Sequence, residues 1–174
     1  CESFDARSGH VRTTWSMTTV LLLIDPGSAL SALVSYDPAR RVVLEKAKIP
    51  NDDVFECIKN NTTCGHLVIE MAESFGAKVW SQVFETVWWT GRFTEAWVRT
   101  GRPFSRMVRR EVKMALTGSA RAKDGQIRNT LIDRFGGKEK ALGKRSNPGP
   151  LFGITADCWQ ALALGVTYSD QQGW

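Results

Sequence analysis

The chain has 174 residues, 43% of them hydrophobic and 24% charged, with 23 Lys/Arg against 18 Asp/Glu. That length suits one domain with a substantial core, and no apolar run approaches the roughly 18 residues a membrane-spanning helix needs. The charge is uneven: residues 92–145 hold 15 Lys/Arg and 5 Asp/Glu, a balance of +10 inside a chain whose total is only +5. Concentrated positive charge, here interleaved with Phe93, Trp97 and Phe104, is the footprint of a protein that meets a polyanion such as nucleic acid.

Residues 1–17 show no clear period and read as an extension or a mobile arm ahead of a single domain spanning 18–174. Residues 20–25 (VLLLID) read as a buried strand. Two more strands are expected at 30–36 and 40–48, joined through Asp37-Pro38 as an antiparallel meander. The segment 51–60 has Val54, Phe55 and Ile58 on one helical face, and 66–71 (HLVIEM) is a further short apolar strand. Residues 76–80 read as a loop or another short strand. A long helix follows over 81–99, with Val83, Phe84, Val87, Trp88 and Trp97 near helical spacing. A strand is expected at 104–108, and helices at 109–117 and 122–135, stopped by Gly118 and Gly136-Gly137. Residues 137–153, rich in Gly, Pro and Lys, read as a flexible basic loop. A last helix is expected over about 155–167.

A meander of strands followed by strands alternating with helices predicts an α/β domain with a mixed central sheet. The four cysteines, Cys1, Cys57, Cys64 and Cys158, form no CxxC pair, so a reducing, cytoplasmic setting is the simplest reading. Cys57, Cys64 and His66 lack a fourth ligand and the usual zinc spacing.

The stretch VLLLIDPGS raises the chemical question, because Asp25 is driven into the end of a buried strand. A buried carboxylate is costly unless something positive meets it. A metal ion, a phosphate reached through a metal, or an arginine would serve. Glu70 also ends a strand, and Asp157 opens the last helix. Ligand sites in open α/β sheets gather at such strand ends, so the three acids are expected to converge.

Four stretches, in order, resemble one family. IDPGS (24–28), VIE (68–70), VKMALTGSARAKDGQI (112–127) and DCWQALALGV (157–166) are similar to the motifs of RuvC-type Holliday junction resolvases of the ribonuclease H-like superfamily. WWTGRF (88–93) is closest to phage and prophage members. The resemblance covers about residues 20–168 and implies a ribonuclease H-like fold, a homodimer matching the two-fold symmetry of a four-way junction, and branched DNA as partner.

It also implies metal-dependent hydrolysis of phosphodiesters. Two divalent cations held by carboxylates can orient the attacking water and offset charge on the phosphate and leaving oxygen. Oxygen ligands select Mg²⁺, with Mn²⁺ as a substitute. Asp25 would be the central ligand, with Glu70 and Asp157 beside it. The family pattern Asp-x-x-Asp is broken here, because Gln160 stands where a fourth acid is usual. An amide can coordinate through its carbonyl but adds no negative charge. Lys113 and Lys123 match the two lysines of the family's basic segment and would offset charge in the transition state. Arg109, Arg110, Ser119, Arg121 and Lys123 would fix the DNA backbone.

Two other readings remain open, and a third, more remote, finds no room in 174 residues. One is a nuclease that prefers flaps, forks or RNA-containing hybrids. Another is a branched-DNA binding protein that cleaves weakly or not at all. The third, an actin-like phosphotransferase, would need glycine-rich phosphate loops and a second domain.

Overall fold

Alternation and burial fix the first strand. In a computed structural model, which describes residues 20–73 and 81–174, β1 (Leu21–Asp25) sends Leu21 and Leu23 into one core and Leu22 and Ile24 into another. A strand buried on both faces reads as a continuous apolar run, which is what VLLLI shows. β1 pairs antiparallel with β2 (Leu30–Asp37), and β2 pairs antiparallel with β3 (Val42–Pro50). On its other side β1 pairs parallel with β4 (His66–Met71), which pairs parallel with β5 (Phe104–Val108). The sheet order is therefore β3-β2-β1-β4-β5, the mixed sheet expected.

Helices cover both faces. α1 (Asn51–Asn60) and α2 (Ser81–Val98) close one side, where Val54, Ile58, Phe93 and Trp97 are buried against Leu22, Ile24, Leu67 and Ile69. α3 (Arg109–Thr117), α4 (Asp124–Arg134) and α6 (Cys158–Gln172) close the other. The last of these lies directly on β1. A Cβ built on Gly165 would stand 2.4 Å from Leu23 Cδ1, so only glycine lets helix and strand approach this closely. No helix among the described residues is long and apolar enough to cross a membrane.

Most element bounds match the sequence expectation within two residues. Two expectations need correction. Residues 137–153 are not a flexible loop. They form α5 (Gly137–Ala141) and a small hairpin, β6 (Gly143–Lys144) with β7 (Asn147–Pro148), anchored by buried Ala141 and Leu151. Gly149 packs so tightly that a Cβ would meet Lys140 O at 2.2 Å. α6 begins at Cys158 and continues to Gln172, well past 167, ending at Gly173 in the left-handed region. The expected extension at 1–17 and the loop or strand at 76–80 lie outside the described residues.

Candidate active site

The turn after β1 is held by a closed ring of hydrogen bonds. The Gly27 N–H donates to Ser31 Oγ at 3.1 Å, the Ser31 hydroxyl donates to Asn51 Oδ1 at 2.6 Å, and Asn51 Nδ2 donates back to Gly27 O at 3.0 Å. Ser31 and Asn51 are buried, so the ring is shielded from competing water. A Cβ on Gly27 would sit 2.3 Å from Leu30 O, which excludes any larger residue from the turn. Asp25 therefore leaves the end of β1 on a rigid base. The IDPGS stretch pointed to this turn, but nothing in the sequence marked Ser31 and Asn51 as its supports.

Asp25 continues the Leu21–Leu23 face, the side covered by α6. Glu70, at the corresponding end of the parallel β4, lies on the same face as Val68. Asp157 stands at the N-terminal boundary of α6. The three acids thus reach one edge of the sheet from widely separated parts of the chain. Burial, reinforced by the charges of Glu70 and Asp157, pushes the Asp25 carboxyl up to about 7, with Arg109 and Lys48 working against it. Burial also raises the Glu70 carboxyl, opposed chiefly by Arg109.

The outer acids are each turned toward a protein cation. Lys48 Nζ lies 2.5 Å from Asp157 Oδ2. Arg109 lies between Glu70, at 3.5 Å, and Asp124, at 2.9 Å. Lys113, mostly buried, stands 4.0 Å from Asp124. In consequence, among the described residues no three His, Cys, Asp or Glu side chains close around a single point. The expected convergence holds for the backbone positions and not for the side-chain oxygens in this arrangement. The donor set nonetheless fits a hard divalent cation, since it is oxygen only and centres on a carboxyl whose ionisation its acidic neighbours oppose.

The remaining predicted residues surround this edge in different ways. Gln160 lies one turn into α6 and is buried, so a carboxylate at its position would be largely desolvated. Arg110, in the first turn of α3, and Ser119, Arg121 and Lys123, between α3 and α4, are exposed. Gly118 ends α3 in the left-handed region, and the Lys123 N–H donates to Gln126 Oε1 at the start of α4. Arg109 contributes more than a surface charge, because it orients Glu70. Cys64 donates to Ser35 Oγ, and His66 Nε2 contacts Ser105 Oγ at 3.0 Å, so these two side chains belong to the interior.

The raised Asp25 carboxyl has a measurable consequence. Between its ordinary value of 3.8 and about 7, the folded chain keeps a proton that the unfolded chain has released. Stability from this group therefore falls as pH rises through that window. His66 opposes the trend: burial lowers it from 6.5 to about 4, so its contribution rises over pH 4 to 6.5. In EDTA, the stability of Asp25→Asn minus that of the unaltered chain removes the shared His66 effect. This difference is expected to grow in favour of the variant from pH 4 to 7, as read by urea unfolding. A flat difference would show that Asp25 ionises without cost.

Solved structures share this architecture. The chain is similar to Thermus thermophilus RuvC, with 17% identity and a TM-score of 0.61 over 89% of this chain and 97% of that one. It is similar to T. thermophilus RuvC in complex with Holliday junction substrate, at 15% identity and a TM-score of 0.61 over 89% and 96% of the two chains. The yeast mitochondrial Holliday junction resolvase Ydc2 gives 10% identity and a TM-score of 0.61 over 90% and 81%. No family model and no curated protein matches the sequence. The fold is thus ribonuclease H-like. It is the mixed-sheet architecture that the solved RuvC and Ydc2 structures share.

Proposed function

We propose that the chain is a metal-dependent, structure-selective DNA endonuclease that cuts four-way junctions or other branched DNA by phosphodiester hydrolysis. The observation that carries this reading is the meeting of Asp25, Glu70 and Asp157 at one sheet edge, beside the basic α3–α4 region, on a RuvC-type fold.

Asp25, Glu70 and Asp157 would hold Mg²⁺ or Mn²⁺, with the Gln160 amide nearby, and the bound cations would supply charge compensation and an activated water. The protein's own groups have separate tasks. Arg109 fixes Glu70 in place and supplies positive charge beside it. Lys113 and Lys123 offer cations to a phosphate drawn toward the acids. Arg110, Arg121 and Ser119 hold the backbone of the DNA without reading bases. The ring through Gly27, Ser31 and Asn51 keeps Asp25 from swinging, which favours a single productive geometry.

A homodimer would place two such sites on a two-fold junction. The exposed Phe84, Val87 and Trp88 of α2 support this, since large apolar side chains in one helical stretch mark association surfaces. Gln160 favours a second reading, a branched-DNA binder with weak cleavage. Labelled four-way junction, flap and duplex, incubated with Mg²⁺, Mn²⁺ or EDTA, separate the two. Paired incisions on the junction, lost in EDTA, are the expected result. Tight junction binding with no incision under any metal would favour the binder, and equal cutting of duplex would remove the structural selectivity.

A further inference from the structure

Lys48 was not implicated by any motif, yet it stands in line with Asp25 across the sheet. Asp25 of β1 pairs with Ala32 of β2, and Ala32 pairs with Lys48 of β3. Directly paired residues project from the same face, so Asp25, Ala32 and Lys48 form one row, about 10 Å from end to end. Ala32 in the middle is fully buried and offers only a methyl group, leaving space above it for the long lysine to lean toward the site.

The register depends on one irregularity. Between Ser35 and Tyr36 the β2–β3 pairing shifts, with Ser35 opposite Glu45 and Tyr36 opposite Val43. Leu44 is the extra residue of a bulge. Without it Ala32 would pair with Ala47, and Lys48 would project from the other face of the sheet. The bulge thus aims Lys48 at the acids. A second contact fixes the relation of β3 to α6: the Cys158 thiol donates to Ala47 O at 3.5 Å, next to both members of the Lys48–Asp157 pair.

We propose that Lys48 is a positioning residue that engages Asp157 in an ion pair and sets how readily the acidic centre takes up a divalent cation. This inference rests on the metal-dependent reading above. While Nζ occupies Asp157 Oδ2, that carboxylate is unavailable to a cation near Asp25, and the ammonium adds a repulsive charge. Cation uptake must break the ion pair and release Lys48, which then becomes free to meet the phosphate whose entry the cation promotes. The affinity of the free protein for cation and its affinity for DNA are thereby linked through one side chain.

The test is Mn²⁺ binding to the DNA-free protein, followed by calorimetry and by electron paramagnetic resonance of free Mn²⁺. Lys48→Met keeps the length of the side chain and removes its charge. It is expected to bind Mn²⁺ about tenfold more tightly than the unaltered chain. Lys48→Arg should restore near-original affinity. In the Asp157→Asn background, Lys48→Met should tighten binding clearly less, because only the repulsion of the ammonium is then removed and there is no carboxylate to release. Thermal melts should differ little, since the Lys48 side chain is partly exposed. Unchanged or weaker Mn²⁺ binding by Lys48→Met, with the unaltered chain binding normally, would overturn the inference and leave the metal-dependent reading standing. No binding by either protein would overturn both.

Discussion

Asp25→Asn is expected to lower junction cleavage by about a thousandfold or more while junction binding stays level or tightens. The substitution keeps the shape of the side chain and its place after β1, where the Gly27–Ser31–Asn51 ring holds the turn. It removes the central negative oxygen of the three-acid edge. Charge stabilisation of several kcal/mol is at stake when a cation loses its principal ligand, and each 1.36 kcal/mol is tenfold in rate. Binding follows a different rule. A carboxylate facing a phosphate backbone repels it, so its loss favours DNA. Single-turnover cleavage and gel-shift titration on the same four-way junction measure the two effects. Cleavage at the normal rate would remove Asp25 from the chemistry. A parallel collapse of binding and cleavage would mean that the variant had lost its fold.

Gly165→Val is expected to destabilise the chain by about 3 kcal/mol and to lower the melting temperature by roughly 6–12 °C. The cause is the contact of α6 with β1, where any Cβ at position 165 would press into the Leu23 side chain. Leu23 is fully buried and packed on all sides, so it has little room to turn aside. The damage should reach the site as well, since α6 presents Asp157 and β1 presents Asp25. A melting temperature within about 2 °C of the unaltered chain would show that the helix can shift without cost.

The strands and helices were legible because their periods are clean. β1 and β4 are short apolar runs closed by acids, while α3 ends at a glycine that adopts the left-handed conformation it was expected to supply. The basic segment 137–153 was misread because Gly and Pro usually mark mobility. Here Gly143 and Gly149 allow backbone to pack on backbone, a tertiary effect with no local signature. Of the site, the acids were legible from position and from their family resemblance. Their cationic partners were less so. Arg109 reads as one arginine among many until β4 and α3 bring it to Glu70. Lys48 was hidden because its face depends on a bulge, and a strand set two residues early at 40–48 gives no hint of it.

The placement of Asp157 on α6 has a consequence for the life of the molecule. Its fellow acids are fixed by the sheet, but this one is delivered by the final described helix, docked against β1, β2 and β4. That helix is buried from Cys158 to Ser169 and packs at the centre of one core, so it leaves only when the core itself comes apart. Whenever α6 detaches, one of the three acids leaves and the proposed cutting centre is lost. A chain caught partway through folding, or loosened by heat, would therefore be harmless to the genome around it. Destructive capacity would be confined to the fully assembled molecule.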